Sequence, residues 1–235
     1  MYHTKSRKGI GYKKAVTTSI KNSQGSLFVA RNVLKENSLM EITAVPFVYQ
    51  TEVVSKKLFD NHIKLYQGYV SKINEISPKL KSASHAELAA ANATYSSYRC
   101  LKRGESFSLD GVILHELYFQ NLNKEPAPAG PRTRHLIDQH FGSFDAWSAA
   151  FTASANSARG WCILAFEQRT NTCRNIVLDS HDDGLVCGSY PLIILDMYEH
   201  AYMIDYGTDK GKYIQNFIAN IPWGVIEKRM TAVMR

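Results

Sequence analysis

The stretch Leu195-Asp-Met-Tyr-Glu-His-Ala-Tyr202, continued by Met-Ile-Asp-Tyr206, holds the most informative pattern in this chain of 235 residues. Its Asp196 and His200 are four residues apart, a spacing that can place both side chains on one side of a helical turn, where they can share a metal ion. An isolated pair of this kind is weak support for a metal site, because such pairs also arise by chance. Further ligands must come from other parts of the chain.

The composition is that of a globular protein with a substantial core, since 45% of the residues are apolar and 11% are aromatic. No run approaches eighteen apolar residues, so the sequence predicts no membrane span. Four cysteines, Cys100, Cys162, Cys173 and Cys187, are too scattered for a disulfide scaffold and lack the paired spacing of a zinc site. They favour a reducing, cytoplasmic location. The sequence does not decide whether Cys173 and Cys187 form a disulfide.

The net charge of +7 belongs to an N-terminal arm, predicted over residues 1–44. Residues 1–35 carry eight Lys or Arg and no acidic residue, which leaves 20 basic and 21 acidic side chains for the rest of the chain. Charge confined to a tail predicts a flexible, solvated segment, and no specific nucleic-acid binding by the folded part. The alternatives are a transit peptide to an organelle and an arm that binds anionic polymers or surfaces.

Hydrophobic periodicity and helix-breaking residues predict helices over residues 56–76, 84–101, 109–122, 132–140, 144–156, 198–206 and 210–220. Short β-favouring runs predict strands over 161–167, 173–178 and 192–195. Ser55 is the predicted N-cap of the first helix, and Pro78 marks its predicted end. The proline-rich segment 125–131 is the clearest linker. The predicted fold class is α+β: a helical hairpin over 45–124, then an α/β domain over 132–235 with a small three-stranded antiparallel sheet.

The stretch around Asp196 resembles the signature of the iron/manganese superoxide dismutases, Asp-x-Trp-Glu-His-Ala-Tyr, with Tyr198 in place of Trp. Other segments resemble landmarks of this family in the order that the family requires, at residues 62–70, 115–122, 141–144, 160–161, 205–206, 212–213 and 221–223. The resemblance extends over roughly residues 45–230, nearly everything but the arm.

The resemblance implies one iron or manganese ion per subunit, held by His62, His115, Asp196 and His200. Three neutral imidazoles and one carboxylate suit either metal, whereas a structural zinc site more often has thiolates. The implied activity is the disproportionation of superoxide to oxygen and hydrogen peroxide. The sequence leaves the choice between iron and manganese open.

The resemblance also implies roles for residues around the ion. Tyr69 is the implied gateway phenol that passes protons, although His62 to Tyr69 is a step of seven residues where eight is common in the family. A seven-residue step still returns to the same face of an ordinary helix, so we expect a helix without a one-residue bulge. His181 is implied to tune the ion through a hydrogen bond to its bound solvent. Lys64 and Lys210 are implied to steer the superoxide anion.

A homodimer is implied by Glu199, whose counterpart in the family bonds the metal-binding histidine, here His200, of the partner subunit. Whether dimers pair into tetramers stays open. Two family residues that meet across the dimer are replaced by Tyr66 and Met203, so the gate is expected to differ from the family's. We assign no role to His3, His85, His135 and His140.

A non-catalytic protein that keeps this fold for assembly or binding, with the basic arm as its contact, is the alternative to an enzyme. The presence of all four implied ligands favours the enzyme. A structural descendant has no physical need for them, because burying polar groups without partners costs stability.

Overall fold

The computed structural model describes residues 41–124 and 128–234, so the predicted arm over residues 1–44 lies almost wholly outside the described residues. The described residues belong to one compact unit. The division into a domain over 45–124 and another over 132–235 stays a prediction. None of the described helices is both long and apolar enough to cross a membrane.

The predicted α+β class is confirmed. The helices are α1 Lys56–Lys81, α2 His85–Ala89, α3 Ser97–Asn121, α4 Pro131–Phe141, α5 Phe144–Ser157, α6 Met203–Tyr206, α7 Lys210–Ala219 and α8 Trp223–Val233. The strands are β1 Trp161–Glu167, β2 Thr172–Leu178 and β3 Ser189–Asp196, and a short 3₁₀ helix spans Glu199–Ala201. Helices α4 and α5 and all three strands lie where the sequence predicts them, to within three residues.

Helix α1 begins where predicted but continues past Pro78. The Ser55 side chain accepts a hydrogen bond from the backbone N–H of Leu58, as an N-cap does. The prediction that Pro78 ends the helix is wrong, because this exposed residue lies in the last turn. A proline there removes only one hydrogen bond, and the turn is completed by a hydrogen bond from the Ser82 N–H to the Pro78 carbonyl, 2.9 Å.

Helix α3 is longer than predicted, and the helix predicted over 84–101 is interrupted. The side-chain oxygen of Asn92 accepts hydrogen bonds from the N–H groups of Thr94 and Tyr95, at 3.0 and 2.9 Å. This turn breaks the predicted helix, and the side chain of Ser96 then caps a new one by accepting from the Arg99 N–H. The helices predicted over 84–101 and 109–122 are therefore α2 and one 25-residue α3.

The sequence did not predict α8, which begins directly after Pro222 and buries Ile226 and Met230. Its Arg229 donates hydrogen bonds to the carbonyl oxygens of Leu192 in β3 and Leu117 in α3, at 2.6 and 2.9 Å. Burial lowers the pKa of this guanidinium to about 10. The residue ties the C-terminal helix to the two elements that carry Asp196 and His115.

The helix predicted over 198–206 is also divided. Tyr202 has an extended φ of −144°, so the chain forms a 3₁₀ turn before it and the short α6 after it. The consequence is local: His200 lies in the 3₁₀ turn directly after β3, close to the end of the strand.

The sheet has strand order β2-β1-β3, with both pairs antiparallel. Every residue of β1 is buried, as expected for a central strand covered on both faces. Helix α3 packs against β3, and α1 packs against both α3 and the 3₁₀ helix. The register pairs Trp161 with Asp196, so the end of β3 meets the helical hairpin beside the start of β1.

Candidate metal centre

Four side chains from four elements meet at the end of β3. His62 comes from α1, His115 from α3, Asp196 from the last position of β3 and His200 from the 3₁₀ helix. One potential ligand atom from each residue lies within 4.8 Å of all the others. His62, His115 and Asp196 are buried, whereas the side chain of His200 is 30% exposed. Among the described residues this is the one cluster of its kind.

The ligand atoms surround a common point and lack partners. The Oδ2 atom of Asp196 lies 3.2 Å from Nε2 of His62, 3.3 Å from Nε2 of His200 and 3.9 Å from Nε2 of His115. None of the four atoms has a hydrogen-bond partner among the described residues. Buried polar atoms are ordinarily paired. A first-row metal ion with ligand bonds of about 2 Å fits this donor set.

Hydrogen bonds behind the cluster fix the direction of two of the candidate ligands. His115 donates from Nδ1 to the carbonyl oxygen of Gly111, 2.6 Å away, which leaves the lone pair of Nε2 facing the cluster. Oδ1 of Asp196 accepts from the backbone N–H of Tyr198 at 2.8 Å, which leaves Oδ2 for the cluster. The carbonyl oxygen of Asp196 accepts from the hydroxyl of Tyr213 at 3.0 Å.

The electrostatics keep these groups in the form that binds a metal. Burial, followed by the neighbouring His62, lowers the pKa of His115 to about 3, and burial also lowers the pKa of His62. Burial alone would raise the pKa of Asp196, but His200 and His62 outweigh it and hold that pKa below its usual range. At neutral pH the buried residues of the cluster are therefore two neutral imidazoles and a carboxylate.

Tyr69 and His181 lie beside the cluster. The Tyr69 ring is centred 5.2 Å from that of His115 and 4.7 Å from that of His181. Trp161 donates from Nε1 to Nδ1 of His181 at 2.9 Å, a bond that the sequence did not predict. Burial lowers the pKa of His181 to about 4, so the ring is neutral and carries its proton on Nε2. Burial, followed by the charge of Asp196, raises the pKa of Tyr69.

Tyr69 and His181 can pack closely against α3 because residue 111 is a glycine and has no side chain. A Cβ atom placed on Gly111 would lie 3.0 Å from two ring atoms of Tyr69 and 3.3 Å from Cδ2 of His181. Tyr198 completes the surroundings, with its ring stacked on His200 at 5.3 Å and its pKa raised to about 12 by burial and then by Asp196.

A surface cavity of about 600 Å³ opens over His200. Arg159, Glu199, Tyr202 and Lys210 line it, so the structure brings Lys210 and Glu199 to the exposed side of the cluster. It does not bring Lys64 there, because this exposed residue lines another depression, formed by α1 and residues 47–49.

The residues expected to alter the gate differ in their surroundings. Tyr66 is fully buried, donates its hydroxyl proton to Oε1 of Glu116 at 2.7 Å and accepts from the Val45 N–H at 2.8 Å. Its hydroxyl is therefore engaged within the subunit. Met203 is 40% exposed. The histidines without an assigned role, His85, His135 and His140, lie outside the cluster, and His3 falls outside the described residues.

Comparison with known proteins identifies the same family that the sequence motifs resemble. Residues 128–229 match the family model of the iron/manganese superoxide dismutases, C-terminal domain. The chain is 38% identical to the superoxide dismutase [Fe] of Aquifex pyrophilus over 189 residues, which are 78% of this chain and 87% of that protein. It is 31% identical to superoxide dismutase [Mn] 1 of Halobacterium salinarum over 195 residues, 78% of this chain and 90% of that protein.

Replacement of His115 by alanine removes one of the four unpaired ligand atoms, and we expect the variant to retain little iron or manganese. His135→Ala is the matched control, because His135 is exposed on α4. Elemental analysis of the purified variants measures metal per chain. Equal metal content in the two variants would show that the cluster does not hold the ion.

Proposed function

The chain belongs to the iron/manganese superoxide dismutases, and we propose that His62, His115, Asp196 and His200 hold the iron or manganese ion at which it disproportionates superoxide. The convergence of four unpaired ligand atoms within 4.8 Å is the observation that carries this proposal. The protein is thus an oxidoreductase, and removal of superoxide makes its physiological role that of an antioxidant.

A bound iron or manganese ion would supply the one-electron chemistry of the reaction, in which two superoxide anions and two protons become oxygen and hydrogen peroxide. The chain supplies the donor set and its rigidity. His62 and His115 stand on the long helices α1 and α3, and Asp196 ends a strand of the sheet. The fixed Nδ1–H of His115 and the anchored Oδ1 of Asp196 limit rotation of both ligands.

We propose that Tyr69 and His181 handle the protons that the reaction consumes. Both groups carry a proton at neutral pH, Tyr69 on its hydroxyl and His181 on Nε2, and their rings are 4.7 Å apart beside the cluster. The hydrogen bond from Trp161 supports this role, because it occupies Nδ1 of His181 and leaves Nε2–H as the donor.

We propose that Lys210 attracts the superoxide anion to the cavity over His200, and that Lys64 adds to the positive potential from a separate surface. The Nζ atom of Lys210 lies 6.0 Å from the centre of the Tyr202 ring, and both residues line that cavity. His200, the most exposed of the four proposed ligands, borders this cavity, so the positive charge of Lys210 lies close to the cluster.

We propose that the protein is a homodimer in which Glu199 binds His200 of the partner subunit. The carboxylate of Glu199 is exposed at the cavity and makes no hydrogen bond or ion pair with any other residue that the structure describes. A free carboxylate next to a ligand histidine is what a reciprocal bridge requires.

A cytoplasmic location is also proposed. It is supported by the four cysteines, all of which are unpaired, including Cys173 and Cys187. An organellar location would require the arm to act as a transit peptide. Localisation of a tagged chain with and without residues 1–44 distinguishes the two.

The activity is tested by superoxide consumption with purified protein reconstituted separately with iron and with manganese. We expect rapid turnover with at least one metal, and the ratio of the two rates identifies the preferred ion. Absence of turnover with both, in folded protein that binds metal, would contradict the enzyme and favour the non-catalytic alternative.

Gly111→Ala is expected to lower superoxide turnover about tenfold or more, because the added Cβ displaces the Tyr69 ring and crowds His181. Gly68→Ala is the matched control on α1, where an added Cβ meets nothing within 4 Å. This control should retain full turnover and unfold at slightly higher urea concentration. Equal turnover in both variants would remove Tyr69 and His181 from the proposal.

Lys210→Gln should lower kcat/KM at low ionic strength and weaken its dependence on salt, because one attractive charge at the cavity is lost. We expect a smaller effect for Lys64→Gln. Lys81→Gln is the control, since Lys81 lies 19 residues beyond His62 on α1, about 28 Å along the helix axis. The same salt dependence in all three variants would rule out steering by Lys210.

Glu199→Gln keeps the shape of the side chain but removes its charge, and we expect the dimer to dissociate at higher protein concentration than the unmodified protein. Sedimentation velocity over a concentration series measures this. Glu41→Gln, at an exposed position, is the control. An unchanged dimer would argue against the bridge through Glu199.

A further inference from the structure

His181 lies in the ten-residue connection between β2 and β3, a segment that by itself gives the imidazole little support. Every residue from Asp183 to Gly188 is exposed, and Gly184 and Gly188 have positive φ angles of 106° and 78°. His181 itself is 1% exposed. A residue that is placed accurately on such a loop needs anchors from the elements around it.

One anchor is the next residue along the chain. Oδ2 of Asp182 accepts a hydrogen bond from the hydroxyl of Ser106 at 3.1 Å and pairs with Nη2 of Arg103 at 3.2 Å. Its Oδ1 accepts from the hydroxyl of Ser180 at 3.0 Å. The side chain of Asp182 is only 5% exposed. A nearly buried carboxylate with three donors is a strong attachment, because the bonds are charge-assisted.

Asp182 is attached to α3, the helix that carries the proposed ligand His115. Ser106 and Arg103 lie on α3, and His115 follows Ser106 by nine residues on the same rigid helix. On its other side, His181 is held by the bond from Trp161 in β1. The ring of Phe107, also on α3, is centred 4.6 Å from that of His181.

We propose that Asp182 is a positioning residue for the dismutase reaction: it fastens the 179–183 segment to α3 and so holds the His181 imidazole beside His115 and Tyr69. The inference rests on the proposed role of His181. Trp161 fixes which nitrogen of His181 carries the proton, and Asp182 fixes where the ring stands. Two anchors on two elements leave the ring a single position.

The first test compares Asp182→Ala with Asp183→Ala, a neighbouring exposed carboxylate whose side chain makes no hydrogen bond to another described residue. We expect Asp182→Ala to bind metal normally, to lose about tenfold in turnover and to exchange the backbone amides of 179–184 faster in the metal-loaded protein. Asp183→Ala should match the unmodified protein in all three measurements. Asp182→Asn, which keeps one carbonyl acceptor, should recover part of the loss.

The second test separates positioning from a general loss of structure. Asp182→Ala is combined with His181→Ala in a double-mutant cycle. Turnover is measured for the unmodified protein, both single variants and the double variant. If Asp182 acts through His181, its substitution costs turnover in the parent protein and costs nothing further once His181 is gone. An equal loss in both backgrounds, or unchanged turnover and amide exchange in Asp182→Ala, would overturn the proposal. Full turnover of His181→Ala would instead refute the role of His181, and the role of Asp182 with it.

Discussion

A buried carboxylate with one unpaired oxygen is the constraint on which the rest of the structure depends. Asp196 is fully buried, and its Oδ2 faces only the Nε2 atoms of histidines that also lack partners. Such a group is costly to remove from water unless a cation balances it. We therefore expect an ion in this cluster, and its binding would contribute directly to the stability of the fold.

Three rigid elements, α1, α3 and β3, position Asp196 and two of the histidines around it, and each element is fixed by contacts remote from the cluster. Helix α1 is capped at Ser55, whose N–H and hydroxyl donate to the carboxylate of Asp205. Helix α3 and strand β3 are joined by Asn121, whose side-chain oxygen accepts from the Ile194 N–H at 2.8 Å. Arg229 then ties both to α8. The position of the site thus depends on long-range hydrogen bonds between residues that are not themselves proposed metal ligands.

The sequence predicted the features that depend on local patterns. The fold class, the strands and the capped start of α1 follow from periodicity and short signals, whereas the four clustered residues were implied by the resemblance to a known family. The turn at Asn92 was missed because four hydrogen bonds of one side chain outweigh helix-favouring neighbours. The bonds from Trp161 to His181 and from Ser106 to Asp182 join residues 20 and 76 positions apart. Neither leaves a pattern in the chain, because only the folded arrangement creates it.

The length of α3 limits the insertions and deletions that this protein can accept during evolution. One inserted residue inside the helix would turn everything beyond it by about 100° and advance it by about 1.5 Å. Between Ser106 and His115, such an insertion would rotate the anchor of one loop away from the ligand that it accompanies. The exposed turn over residues 90–95 has no such linkage, so changes in length should accumulate there and be selected against in the helix that follows.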